Sequence, residues 1–169
     1  IDKQIQAQNA NLDRQLKEQR DANARAQTLR RQQIAGGFVG EINTIVEVFQ
    51  APNWQANIKS IPELLERDPS TLDSVLSTLR VPSELNTFFK ANVAAIGQLP
   101  NPVPQHLLEF YGTVSRILQV INAGPGTKDD VAESFALGNR FVEVQGEADD
   151  VLARARPLLN ELERYARGE

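Results

Sequence analysis

The chain contains no cysteine and no methionine, and only one histidine and one tryptophan. Without cysteine it has neither a disulfide frame nor a thiolate metal site. With His106 as the sole imidazole, a zinc site would rest almost wholly on carboxylates, which is an uncommon donor set. No run reaches the ~18 apolar residues of a membrane span, and no signal-peptide pattern is present. Clean period-two alternation is missing as well, whereas 3.6-residue periodicity runs through most of the chain. The fold class is therefore all-α.

The 169 residues are 41% apolar and 24% charged, the composition of one ordinary globular domain. A net charge of −4 hides an asymmetry. Residues 1–33 carry seven Lys or Arg against four Asp or Glu, and residues 34–169 carry eleven against eighteen. An acidic body lacks the clustered cations of a nucleic-acid footprint, so no nucleic-acid partner is expected.

Residues 1–33 form a polar arm with eleven Gln or Asn and no Gly or Pro. Ile5, Leu12, Ala22, Ala26 and Leu29 fit a and d positions of a heptad, while Gln8, Gln15, Gln19 and Gln33 fill the rest of the seam. Leu16 adds a further apolar residue. Such a helix buries too little to stand alone, so Ile5, Leu12, Leu16 and Leu29 are the candidate association surface, for a protein partner or for a second copy. At Ile34 the chain turns apolar, with Ile34, Phe38, Ile42, Ile45, Val46 and Phe49 on one stripe. Gly36, Gly37 and Gly40 within it mark the end of the arm helix, a bend between arm and core helix, or a close helix crossing with Gly36 and Gly40 on the approaching face.

Pro52 ends this helix, and residues 51–81 read as short helices. Ser60 and Glu63 form a capping box around Ile61-Pro62, and Ser70 and Asp73 repeat the pattern. Residues 83–121 read as a helical hairpin. Leu85, Phe88, Phe89, Asn92, Val93 and Ile96 make one face. Leu107, Leu108, Tyr111, Val114, Ile117, Leu118 and Ile121 make the other. Gly97 supplies a left-handed C′ residue, and Pro100, Pro102 and Pro104 lock the turn. After the loop at 123–127, Thr127, Asp129 and Asp130 start a last helix. Its stripe runs from Val131 through Phe141, Val142, Gln145, Ala148, Val151, Leu152, Ala155, Leu158, Leu159 and Leu162 to Tyr165. Pro157 predicts a kink without a reversal, because the stripe stays in phase. This helix is long enough to run beside the arm. The expected architecture is a helical bundle with a long N-terminal arm helix, a central hairpin and a long kinked C-terminal helix, divided into an arm (1–33) and a bundle domain (34–169).

Little here carries chemistry. His106 reads as solvent-facing and has no Asp or Ser close in sequence. Glu143, Glu147, Asp149 and Asp150 cluster, but no E-x-x-H accompanies them, and the i, i+4 pair Asp150–Arg154 suits a solvated charged face. The Gly124-Pro125-Gly126 run lacks the lysine and the preceding strand of a phosphate loop. No catalytic, cofactor-binding or metal residue is assigned, and no enzyme activity is expected. Trp54, just after a helix break, reads as a lid over one end of the core. With Phe88, Phe89 and Tyr111 it also makes the candidate lining of an apolar ligand pocket.

Four short segments stand out together: Gly40-Glu41-Ile42 within 38–49, Phe89-Lys90-Ala91-Asn92, Ile96-Gly97-Gln98-Leu99-Pro100, and Phe110-Tyr111. Over residues 34–121 they resemble a family of uncharacterised bacterial membrane proteins with a single N-terminal transmembrane helix, a charged helical linker and a helical soluble domain. The resemblance implies an anchor upstream of Ile1 in a bacterial cell membrane, and it brings no site residue. Seven basic residues within the first 31 favour the cytoplasmic over the periplasmic side. The function expected is protein–protein association without catalysis, as a scaffold or signalling element. The alternative is a small-ligand sensor.

Overall fold

The computed structural model describes the backbone of residues 2–67, 72–79, 81–82, 85–123 and 131–168; within these, the side chains of 2–5, 7, 72, 73, 76, 123 and 131–137 are outside the description. The described residues are helical and contain no strand, an all-α bundle. The helices are α1 (Asp2–Gln50), α2 (Pro52–Arg67), α3 (Leu72–Thr78), α4 (Thr87–Asn92), α5 (Val103–Ala123) and α6 (Val131–Arg167). A 3-10 turn, Val93–Gln98, follows α4 directly.

The arm and the first core helix are one element. α1 runs unbroken through Gly36, Gly37 and Gly40, so the glycines do not end the arm helix. A helix interior tolerates an isolated Gly at roughly 1 kcal/mol, and the stripe Ile34, Ala35, Phe38, Ile42, Ile45 and Phe49, buried throughout, outweighs that. The close approach falls at Gly37, where a Cβ would run into the Phe88 ring; Gly36 and Gly40 face open space. The expected crossing face is thus corrected, because the neighbour at this point is an aromatic ring packed at one glycine and not a backbone spread over two.

α1 stops at Gln50, since Pro52 disfavours helical geometry at the residue before it. Pro52 then opens α2, where its missing N–H costs nothing. The Gln55 side-chain amide donates to the Phe49 carbonyl at 2.7 Å, satisfying one of the orphan acceptors at the end of α1. α2 continues through Ser60 and Pro62, contrary to the helix start expected at Ser60. Instead of capping, the Ser60 hydroxyl donates back to the Asn57 carbonyl at 2.8 Å. The reason is tertiary: Trp54, Ile58, Ile61 and Leu65 form one buried stripe that spans the proline. The Ser70–Asp73 cap and the loop and cap at 123–130 lie outside the described residues.

α6 is the element the others gather on, packing against α1, α2 and α5. Near its start Gly138 meets Leu65 of α2, and at its end Gly168 lies against Gln32 of α1. It therefore runs antiparallel to the succession of α2 and the core half of α1, and it ends where the arm begins. The expectation that it runs beside the arm is corrected. α5 is antiparallel to α6 too, with His106, Glu109 and Arg116 facing Glu161, Arg154 and Glu147 in turn. α6 passes through Pro157 as one helix. Its buried line is Phe141, Val144, Ala148, Val151, Ala155, Leu158 and Leu162, alternating three and four residues. That is the spacing of a helix packed along its length against long neighbours. Val142, assigned inward from the sequence, is exposed because the line passes through Val144.

The hairpin is smaller than expected. α4 buries none of its residues fully, and the 3-10 turn buries only Ile96. Gly97 sits inside that turn with negative φ, and its expected left-handed role is not needed because the chain leaves through extended Leu99. The tighter 3-10 winding rotates Val93 outward, and Leu108 of α5 is exposed as well.

Candidate functional site

Two regions hold the residues singled out from sequence. The first is the joint where α4 crosses α1 and α5. Here the Phe38 and Phe88 rings meet edge-to-face with centroids 5.0 Å apart, and Phe89 stacks on Tyr111 at 4.2 Å. Phe38 also touches Tyr111 at 5.9 Å, and Phe110 sets its edge against Tyr111 at 5.3 Å. Three of the four candidate pocket residues, Phe88, Phe89 and Tyr111, are thereby brought together with Phe38, and they fill the joint with one another's rings. Trp54 is elsewhere. It is buried and packs on Phe49 at 4.9 Å, about 16 Å further along α1 at ~1.5 Å per residue. It lies near the start of α2, just past the break that ends α1.

Glu41 organises the joint. Its two carboxylate oxygens accept from the backbone N–H groups of Phe88 at 2.6 Å and Phe89 at 3.1 Å, satisfying orphan donors in the first turn of α4. Composition and periodicity gave no reason to select Glu41, whose capping target lies 47 residues away in sequence. The one signal was its place in the Gly40-Glu41-Ile42 motif. The Tyr111 hydroxyl beside it is buried without a hydrogen-bond partner. Burial first, and then the neighbouring Glu41 carboxylate, raise the phenol above its ordinary pKa, so it stays neutral. Trp54 Nε1 and Asn86 Oδ1 are likewise buried and unpaired. Asn92, half-buried on the face shared with Phe88 and Phe89, donates to the Phe88 carbonyl at 2.9 Å within its own helix.

Two of the four acids clustered on α6, Glu147 and Asp150, are taken up in ion pairs. Glu147 accepts from Arg116 at 2.6 Å, while Arg154 bridges Asp150 at 2.8 Å and Glu109 at 3.2 Å. The Asp150 hydrogen bond, more than any other contact, raises the Arg154 pKa above its usual value. His106 is exposed, with Nδ1 3.2 Å from Glu161. Such surface pairs fix the register of α5 on α6 and are worth little individually. No cluster of three or more His, Asp or Glu suited to a metal ion occurs among the described residues.

The second region is the arm. Every described side chain from residue 6 to residue 31 is exposed, Leu12 and Leu29 at 59% and Leu16 at 44%. The Ile5 side chain lies outside the described residues. At ~1.5 Å per residue the arm projects roughly 45 Å beyond the bundle. No helix among the described residues is long and apolar enough to cross a membrane. Comparison with protein-family models, with curated proteins and with solved structures finds no match.

Proposed function

We propose that this is a non-enzymatic helical module of a membrane-tethered bacterial protein, working by association with other protein chains as a scaffold or signalling element. The observation that supports it is the arm. A helix with so few apolar residues would not hold together in isolation, and here it extends a core helix that supplies the nucleus. Leu12, Leu16 and Leu29 stand exposed on it and find no cover among the described residues. The tether and its cytoplasmic orientation rest on the resemblance of residues 34–121 and on the basic arm. Light scattering across a range of protein concentrations tests the proposal. The mass is expected to rise above that of one chain and to fall back in Leu12→Glu/Leu29→Glu; a wild-type protein that stays monomeric at millimolar concentration and captures no other chain overturns it.

A second reading, a small-ligand sensor, draws on the unpartnered Tyr111 hydroxyl among the aromatic rings. Native mass spectrometry of freshly purified protein decides it. A bound small molecule that is lost in Tyr111→Phe supports this reading, and a bare chain mass retires it.

A further inference from the structure

We infer that the arm's partner is the arm of a second copy, paired antiparallel about a point between Arg20 and Asp21. This rests on the association reading above and adds to it an occupant, an orientation and a register. With Leu12 at an a position, Gln19 and Ala26 are also a, while Gln15, Ala22 and Leu29 are d. Glu18 and Arg25 then fall at g, and Leu16, Asn23 and Arg30 at e. All of these side chains are exposed in the single chain.

A parallel pair sets each g residue against the e residue five positions later. Glu18 would meet Asn23, and Arg25 would meet Arg30, so no attraction forms and two cations face each other twice over. The parallel arrangement also lays residues 22–33, with Arg25, Arg30, Arg31 and no acid, against themselves. An antiparallel pair sets a against d and g against g. When Leu12 seats on Leu29 of the other copy, Gln19 faces Ala22 and Ala26 faces Gln15. In that same register Glu18 faces Arg25 of the other copy. The two-fold axis repeats each contact, so Leu12 and Leu29 of both chains are covered and both g pairs join opposite charges. The cationic stretch 22–33 then lies on residues 8–19, which carry two acids, Asp13 and Glu18, and two bases.

Length agrees with charge. This register brings residue 7 of one copy level with Ile34 of the other, the first residue buried in the bundle. Residues 8–33 of the two arms thus overlap, and residues 2–6 of each run on level with the first turns of the other copy's buried segment. Ala22 and Ala26 near the centre allow close approach, and the glutamines in the seam penalise slipped registers that would bury them against leucine. The two bodies lie at opposite ends of the paired arms, about 40 Å apart at ~1.5 Å per residue.

The absence of cysteine makes the test direct. Leu12→Cys and Leu29→Cys chains, one carrying a mass tag, are mixed and oxidised. A disulfide between the two variants is expected, with none in either variant alone. Cross-linking of Leu12→Cys to itself would show a parallel pair, overturning this inference while leaving association intact. A protein monomeric at every concentration overturns both, and monomers that sediment with phosphatidylglycerol vesicles would assign the arm to a lipid surface instead. A dimer that cross-links in no combination places the interface elsewhere and overturns the arm pairing. Charge exchange provides a second measurement that leaves the leucines in place. Glu18→Arg and Arg25→Glu are each expected to weaken the dimer about tenfold at low salt. The double exchange, or a mixture of the two single variants, restores it; failure of that rescue overturns the register.

Discussion

The two halves of α1 share one unbroken backbone and differ in almost everything else. Residues 34–49 place an apolar side chain inward every three or four positions and are buried along that line, whereas residues 6–31 bury none of their described side chains. Both halves are helical because the arm is rich in Gln, Arg and Ala, which have good intrinsic propensity, and because the packed half supplies the nucleus. The difference separates two things that usually occur together. Helix formation follows local preference and continuity, while attachment to a core follows apolar spacing. The packed half builds the core, and the bare half adds no buried side chain to it among the described residues.

The contrast is broken hardest at Phe38. Phe38→Ala removes the ring that touches both Phe88 and Tyr111 and should cost about 3–5 kcal/mol in denaturant unfolding. Next come the glycines of the same half. Gly37→Ala forces a methyl group into the Phe88 ring and should cost about 1–3 kcal/mol, whereas Gly40→Ala meets open space and should stabilise by about 1 kcal/mol. Equal effects at the two positions would mean that Phe88 does not pack on Gly37.

The Tyr111 joint sharpens the comparison by pH. Its folded pKa is raised, so the native state holds the phenolic proton after the unfolded chain has released it. The stability contribution is complete below the unfolded value near 10 and declines as pH climbs from there toward the folded value, at up to about 1.4 kcal/mol per pH unit. Tyr111→Phe should flatten that alkaline decline and, by removing an unpaired buried hydroxyl, cost nothing at neutral pH. Urea unfolding of both proteins between pH 8 and about 11 makes the check. The smallest effect belongs to the arm: Leu12→Ala should change the unfolding free energy of dilute protein by less than about 0.5 kcal/mol, because the side chain has no cover to lose. A cost like that of Phe38→Ala would mean that the arm is packed against the body.

Most of the helices could be read from the sequence, and with them the core of α5, since a stripe such as Leu107, Tyr111, Val114, Ile117 and Leu118 has no other use in a single domain. The readings that failed each involved a local signal overruled at a distance. Ser60-Ile61-Pro62-Glu63 looks like a helix start to its neighbours, but Trp54, Ile58, Ile61 and Leu65 together bury a longer helix through it. Gly97 is free to turn left-handed, and the chain turns instead through 3-10 winding. Of the four rings that α4 and α5 bring to the aromatic joint, Phe88, Phe89 and Tyr111 were legible as apolar positions. The carboxylate that ties them to α1 was not, because its acceptor role depends on which amides the fold carries to it.

By itself the sequence determined an all-α chain with a polar, basic, leucine-poor arm and an acidic body, because propensity, period and charge are local properties. Only the tertiary structure decided that α6 ends at Gln32, leaving the arm uncovered, and that Glu41 caps α4. Those are facts about which surfaces meet, and they depend on side chains far apart in sequence competing for one buried volume.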